Sequence, residues 1–268
     1  MTNLESLTIQ NRLIFAHVMS KEENCLPLLK MLFPHLNILR IEYVEAEKTV
    51  EDTLVSKGVR FDVYVKDVEG RAFTLEMQVE NTRSLPRRSR YYSSMMDVDL
   101  LQKSESYDAL APAYVVFICP FDLFGKGLHR YTFRNTCLED GTIELGDRSE
   151  KIFLNAKGTA DDVPEELKDF LEYVAGSYEG KDAYVEKLNL AVQDARQSIS
   201  RKRGYMNYID EMKHERYEGR EEGREEGRAE ERGNTERERK RAEEAEAQLQ
   251  QTREYVESLE KELKALRG

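Results

Sequence analysis

Gly58-Val59-Arg60-Phe61-Asp62-Val63-Tyr64-Val65-Lys66-Asp67-Val68-Glu69-Gly70-Arg71-Ala72-Phe73-Thr74-Leu75-Glu76-Met77-Gln78-Val79-Glu80 holds two alternating segments around Val68-Glu69-Gly70. In the first, Val59, Phe61, Val63 and Val65 fall on one face, and Arg60, Asp62, Tyr64 and Lys66 on the other. In the second, Phe73, Leu75, Met77 and Val79 oppose Thr74, Glu76, Gln78 and Glu80. A period of two belongs to a β-strand, and the short loop makes the pair a hairpin. The apolar sets must share the core side, so Asp62, Glu76 and Gln78 emerge together on the opposite face. If Val68, Glu69 and Gly70 form the loop, Asp62 stands across from Glu76 and Arg60 across from Gln78. Like charges opposed across a strand pair repel, and a sequence that keeps them calls for a cation. Hard divalent ions such as Mg2+ or Mn2+ take one or two carboxylates with carbonyl oxygen and water, leaving sites for a phosphate. Spacing alone also allows a plain exposed strand face, neutralised by Arg60, Lys66 and water.

Outward from the hairpin, residues 4–33 read as two helices. Leu7, Phe15 and Val18 mark one stripe, and Leu26, Leu29, Met31 and Leu32 another before Pro34. Residues 38–46 read as a strand. Residues 84–103 form an expected helix begun near Pro86, with Tyr91, Met95, Val98 and Leu101 as its apolar stripe. Residues 113–119, Ala-Tyr-Val-Val-Phe-Ile-Cys, are continuously apolar between Pro112 and Pro120, the pattern of a central strand buried on both faces. Shorter strands are expected at 129–136 and 151–154. Asp162 and Pro164 open a helix that closes near Gly176.

From about Asp182 the pattern is almost entirely helical. Gly219, Gly223 and Gly227 recur in a Glu-Gly-Arg-Glu repeat, and each weakens a helix by roughly 1 kcal/mol against alanine. That stretch reads as a hinge. Beyond it Ala242, Ala245, Leu249, Thr252, Val256, Leu259, Leu263 and Leu266 keep an unbroken alternation of three and four. With Arg241 facing Glu246 and Glu262 facing Arg267, this is a coiled-coil seam suited to a parallel pair. Its alanine and threonine layers are weak, and a solvated single helix is the plainer alternative. Oligomerisation through the seam is favoured. The expected division is therefore 1–160 for the α/β domain, 161–215 for a helical extension, 216–234 for the charged hinge and 235–268 for the coiled coil.

The net charge of -11 and pI near 5.1 argue against a protein that coats DNA through overall basicity. They leave room for an acidic metal pocket beside a local basic patch. Arg83, Arg87, Arg88 and Arg90 form such a patch directly after the hairpin. Arg87, Arg90 and Tyr91 share one helical face. They could clamp DNA phosphates, or be a solvated basic helix with Tyr91 in the core. Cys25, Cys119 and Cys137 have neither zinc-ligand nor disulfide-framework spacing, and His17 and His129 read as structural. The start Met1-Thr2-Asn3-Leu4-Glu5 lacks the form of a signal peptide, and no segment is apolar for long enough to span a membrane, so a cytoplasmic protein is expected.

Asp62 followed on the next strand by Glu76-Met77-Gln78 resembles the PD-(D/E)XK nucleases in their E-x-Q form. More narrowly, the chain resembles the bacterial recombination-promoting nucleases, also described as PD-(D/E)XK nuclease family transposases. Residues 57–65 and 75–78 carry that likeness, with Leu85-Pro86-Arg87-Arg88-Ser89-Arg90-Tyr91-Tyr92, residues 114–122, residues 152–158 and the Glu-Gly-Arg repeats. It spans roughly residues 5–230. The resemblance implies a restriction-endonuclease-like mixed sheet flanked by helices, Mg2+ or Mn2+ as cofactor, and DNA as substrate. It implies Asp62 and Glu76 as metal ligands, with the Met77 carbonyl as a third. Gln78 stands where the wider superfamily has a lysine, so it can orient the attacking water but brings no positive charge. Relatives often carry an acid in the first helix, where this chain has Asn11 and Arg12; Glu80 is a candidate replacement. The expected activity is metal-dependent endonucleolytic hydrolysis of DNA. A catalytically silent nuclease fold acting through its tail is the rival, and Arg12 is the residue that favours it.

Overall fold

The hairpin forms in the register its loop implied: Val63 lies opposite Leu75, Tyr64 opposite Thr74 and Val65 opposite Phe73. Gly70 turns it at φ +78°, a conformation that side chains resist, and its N–H donates to the Asp67 carbonyl. This computed structural model describes residues 6–51, 58–180 and 182–201, together with 212, 216, 219 and 224. The elements in order are α1 (Arg12–Met19), α2 (Glu22–Leu32), β1 (Ile41–Ala46), β2 (Thr49–Val50), β3 (Val59–Arg60), β4 (Val63–Asp67) and β5 (Ala72–Met77). They continue with α3 (Leu85–Leu100), β6 (Ala113–Cys119), β7 (Arg130–Phe133), β8 (Ser149–Asn155), α4 (Glu165–Ala175) and α5 (Ala183–Arg201).

Six strands form one mixed sheet in the order β1-β4-β5-β6-β8-β7, and β2 with β3 makes a small second ladder. β1, β4 and β5 are antiparallel; β5, β6 and β8 run parallel; β7 closes the far edge antiparallel to β8. Parallel neighbours need a crossover, and α3 supplies the one from β5 to β6. It lies on one face, where Tyr92 meets Phe61 and Phe117 edge-on or tilted. The opposite face is reached by the end of α2, where Phe33 packs on the stacked rings of Phe73 and Tyr114. α1, α2, α4 and α5 pack together, and Tyr184 of α5 donates to the Asn24 carbonyl of α2. The sheet is thus covered on both sides, and every residue of β5 and β6 is buried. This is the mixed α/β architecture expected from the sequence.

Three local readings change. The strand expected over 58–67 is broken at Phe61 and Asp62, and the one expected to reach Glu80 ends at Met77. The buried face of α3 is Leu85, Ser89, Tyr92, Ser93, Met95 and Met96, so of the expected stripe Met95 is buried. Tyr91 and Val98 are instead 36% and 48% exposed. The polar face of the hairpin is not a solvent face, because α3 lies over it. Among the described residues no helix is long and apolar enough to cross a membrane. Of the expected hinge only residues 216, 219 and 224 are described, each helical; the rest of it and the coiled coil at 235–268 lie outside the described residues.

Candidate metal centre

The break at Asp62 has a partner across the sheet. Glu47, between β1 and β2, adopts φ +56°, and its N–H donates to the Asp62 carbonyl at 3.0 Å. Phe61 N–H donates to the Lys48 carbonyl at 2.9 Å, so both strands bend at one level. The bend resets the alternation, since Phe61 and Tyr64 now share the apolar cluster beneath α3. Asp62 is left one residue short of the regular ladder, with its carboxyl turned to the end of β5.

There Asp62 and the end of β5 hold each other. Asp62 N–H donates to Glu76 Oε1 at 3.1 Å, and Met77 N–H donates to Asp62 Oδ2 at 2.9 Å. Thr74, on the same strand face, donates its hydroxyl to Glu76 Oε1 at 2.6 Å. Both carboxyls are buried, at 3% exposure for Asp62 and 1% for Glu76. Glu76 Oε2 is buried without a hydrogen-bond partner, a state that costs about 1–3 kcal/mol or more for a charged group.

Two guanidinium groups supply the opposite charge. Arg12 Nε, at the first helical residue of α1, lies 2.5 Å from Asp62 Oδ1. Arg88, half-buried on α3, places Nη2 at 3.9 Å from Glu76 Oε2. The same arginine donates at 2.8 Å to Gln78 Oε1 and at 2.5 Å to the Tyr92 hydroxyl. Gln78 N–H continues the ladder to the Ile118 carbonyl, and its side-chain amide donates to the Glu80 carbonyl. Glu80 itself is exposed beyond the end of β5.

Burial drives both carboxyls above the ordinary carboxylate range. For Asp62, the charge and hydrogen bond of Arg12, the Met77 amide and Arg88 pull the other way. For Glu76, the charge of Asp62 adds to burial, against Arg88, the Thr74 hydroxyl and the Asp62 amide. Of the two acids, Glu76 is the one that lacks a close cation.

Of the expected site residues, the structure brings Asp62, Glu76, Met77, Gln78 and Arg88 together. Arg83, Arg87, Arg90 and Tyr91 lie apart from them, exposed on and just before α3. Arg88 therefore leaves the surface patch and joins the carboxylates. Thr74, Tyr92 and the pairing of Arg12 with Asp62 were not singled out from sequence. Thr74 did lie on the expected polar face, and Tyr92 is one helical turn after Arg88. His129 is structural: it is buried, and Nδ1 lies 2.9 Å from Asp162 Oδ1.

The donor set fits a hard divalent ion chemically. Glu76 offers an unpartnered buried oxygen beside a second carboxylate. The Met77 carbonyl leaves the strand on the same edge as its N–H, which meets Asp62. The set is a lean one, since among the described residues no group of three or more His, Cys, Asp or Glu gathers to hold a metal. Asp62 Oδ1, moreover, is engaged by Arg12.

The six-stranded mixed sheet with flanking helices is consistent with a nuclease fold of the PD-(D/E)XK type. Residues 10–172 match the family profile of the PD-(D/E)XK nuclease family transposases, and the chain belongs to that family. No curated protein and no solved structure matches it. Nucleases of this type typically use a divalent metal.

Proposed function

We propose that the protein is a divalent-metal-dependent DNA endonuclease that hydrolyses phosphodiester bonds. The observation that carries this reading is Glu76 Oε2, buried and unpartnered beside the Asp62 carboxyl at the end of β5. Asp62, Glu76 and the Met77 carbonyl would hold Mg2+ or Mn2+. The ion, when bound, lowers the pKa of a water and offsets charge at the phosphate.

The remaining work falls to the chain. Gln78 Oε1 accepts from Arg88 and keeps a second lone pair with which to orient the attacking water. Arg88 brings to that position the positive charge that glutamine lacks. Arg83, Arg87 and Arg90, with Tyr91, track the DNA backbone along the exposed side of α3, where bidentate contacts to phosphate are open to them. The acidic remainder of the protein keeps DNA binding local and salt-sensitive. The C-terminal coiled coil would pair two such centres, as cutting two strands or two sites in recombination or mobile-element movement requires.

One observation favours a second reading, a catalytically silent nuclease fold acting as a DNA-associated or coiled-coil scaffold: Arg12 already satisfies Asp62. Plasmid and linear DNA cleavage with Mg2+ or Mn2+, by wild type and by Asp62→Ala and Glu76→Ala, separates the two. Cleavage lost in both variants is expected. Cleavage unchanged in both would remove the site, and a wild type silent on every DNA with either metal would leave the scaffold reading.

A further inference from the structure

We propose that Arg12 is the resident cation of this centre, and that a divalent metal binds only by taking Asp62 from it. The proposal rests on the reading of Asp62 and Glu76 as metal ligands, and adds a residue that sets how strongly they bind.

The two carboxyls differ in what they have left to give. Asp62 Oδ2 accepts from the Met77 amide, so Oδ1 is the oxygen nearest to being free, and that one faces Arg12 Nε at 2.5 Å. Glu76 Oε1 accepts from the Asp62 amide and from Thr74, whereas Oε2 has only Arg88, at 3.9 Å, beyond hydrogen-bond reach. One carboxyl is engaged by a cation and the other is poised for one. A divalent ion held by both carboxyls would need the Asp62 oxygen that the guanidinium now occupies at 2.5 Å. Two cations at one buried oxygen repel strongly, so the two occupancies exclude each other.

The rest of α1 shows what moves and what stays. Asn11 caps the helix, its side chain accepting from the Leu13 and Ile14 amides, which fixes the backbone at Arg12. The Arg12 side chain is 19% exposed against 4% for Asp62, so the guanidinium has a route outward that the carboxylate lacks. Its position at the start of the helix adds the partial positive charge of the helix terminus to its own. Arg12 is thus a competitor held on a flexible side chain from a rigid mount.

The test is calorimetric titration of MnCl2 into the full-length protein, without DNA. Arg12→Gln is expected to bind Mn2+ roughly tenfold or more tightly than wild type, since no charge-assisted pair has to be broken first. Arg12→Lys should stay near wild type, and adding Glu76→Gln to Arg12→Gln should abolish the gain. Equal Mn2+ affinity in wild type and Arg12→Gln, both dependent on Glu76, overturns the competition while leaving the metal centre standing. Absence of Mn2+ binding in both proteins overturns the competition and the metal centre together. Should Arg12→Gln fail to fold, the wild type decides by NMR of the Arg12 Nε–H, assigned with Arg12→Lys. Displacement of that resonance by MgCl2 supports the proposal, and an unmoved resonance under saturating MgCl2 sinks it.

Discussion

Arg12 Nε and Asp62 Oδ1 stand 2.5 Å apart, joining the first turn of the first helix to a break between two strands. The pairing gives one acid of the centre a close cation and leaves Glu76 with none nearer than Arg88 at 3.9 Å. Opposite consequences for stability follow from removing either.

Glu76→Gln should raise stability by about 1 kcal/mol in metal-free buffer at about pH 9, where its carboxyl, pushed up to about 8 by burial and by Asp62, carries a buried charge with an unpartnered oxygen. Asp62→Asn should lower stability by about 2–3 kcal/mol, since it removes the charge-assisted contact at 2.5 Å between two largely buried groups. Urea unfolding of both variants with chelator present measures the difference. Equal shifts for the two would show that Arg12 contributes nothing to folding.

Arg87→Gln should weaken binding to a fluorescent DNA duplex and reduce the slope of log affinity against log salt by about 1. Arg88→Gln should act differently, because its guanidinium is committed to Gln78, Tyr92 and Glu76. It should reduce cleavage by at least about tenfold with little change in that slope. A salt slope that falls equally in both would place Arg88 on the DNA backbone instead.

Acid should unfold the protein partly through Asp122. Burial alone would raise its carboxyl, but amides of Gly127, Gly125 and Phe124 and the Tyr131 hydroxyl donate to it and bring it below the ordinary range. A folded pKa below the unfolded one gives stability that is present above the unfolded value, about 3.9, and is lost as pH falls through the folded value. Thermal unfolding from about pH 5 downward should show a flatter acid limb in Asp122→Asn than in wild type. A limb of unchanged steepness would show that this turn does not report on acid stability.

Gly158→Ala should destabilise by about 1–3 kcal/mol or more, since a Cβ there would lie 2.4 Å from His129 Cγ and 2.8 Å from its backbone Cα. His129 cannot give way easily, being tied through Nδ1 and its amide to Asp162. A drop in Tm is the expected reading, and an unchanged Tm would mean that the ring has room to move.

How much of this was legible follows from the range over which each interaction acts. Register came from the period of two and the loop, both local, and Val63 does oppose Leu75. The bend at Asp62 was hidden because it depends on the left-handed turn at Glu47, a residue with no glycine-like signature. The burial of Glu76 was hidden because alternation marks a polar face without saying what covers it. Here α3 covers that face, with Leu85, Ser89, Tyr92, Ser93, Met95 and Met96 on its buried side. Arg88 looked like its neighbours in sequence, yet α3's rotation sends it inward and leaves Arg87 and Arg90 outside. Arg12 could be seen as an oddity of the first helix. Its destination, fifty residues along the chain, needed coordinates.

The parallel pairing of β5 with β6 also sets a timetable. Arg12, Asp62, Glu76, Gln78 and Arg88 all leave the ribosome before Ile118, whose carbonyl receives the Gln78 amide. For that interval the nascent chain carries a hairpin with one bare edge, the kind of surface that recruits stray strands or a chaperone. Asp62 and Glu76 are therefore made early and seated late, and a chain cut short before β6 would display them without assembling them.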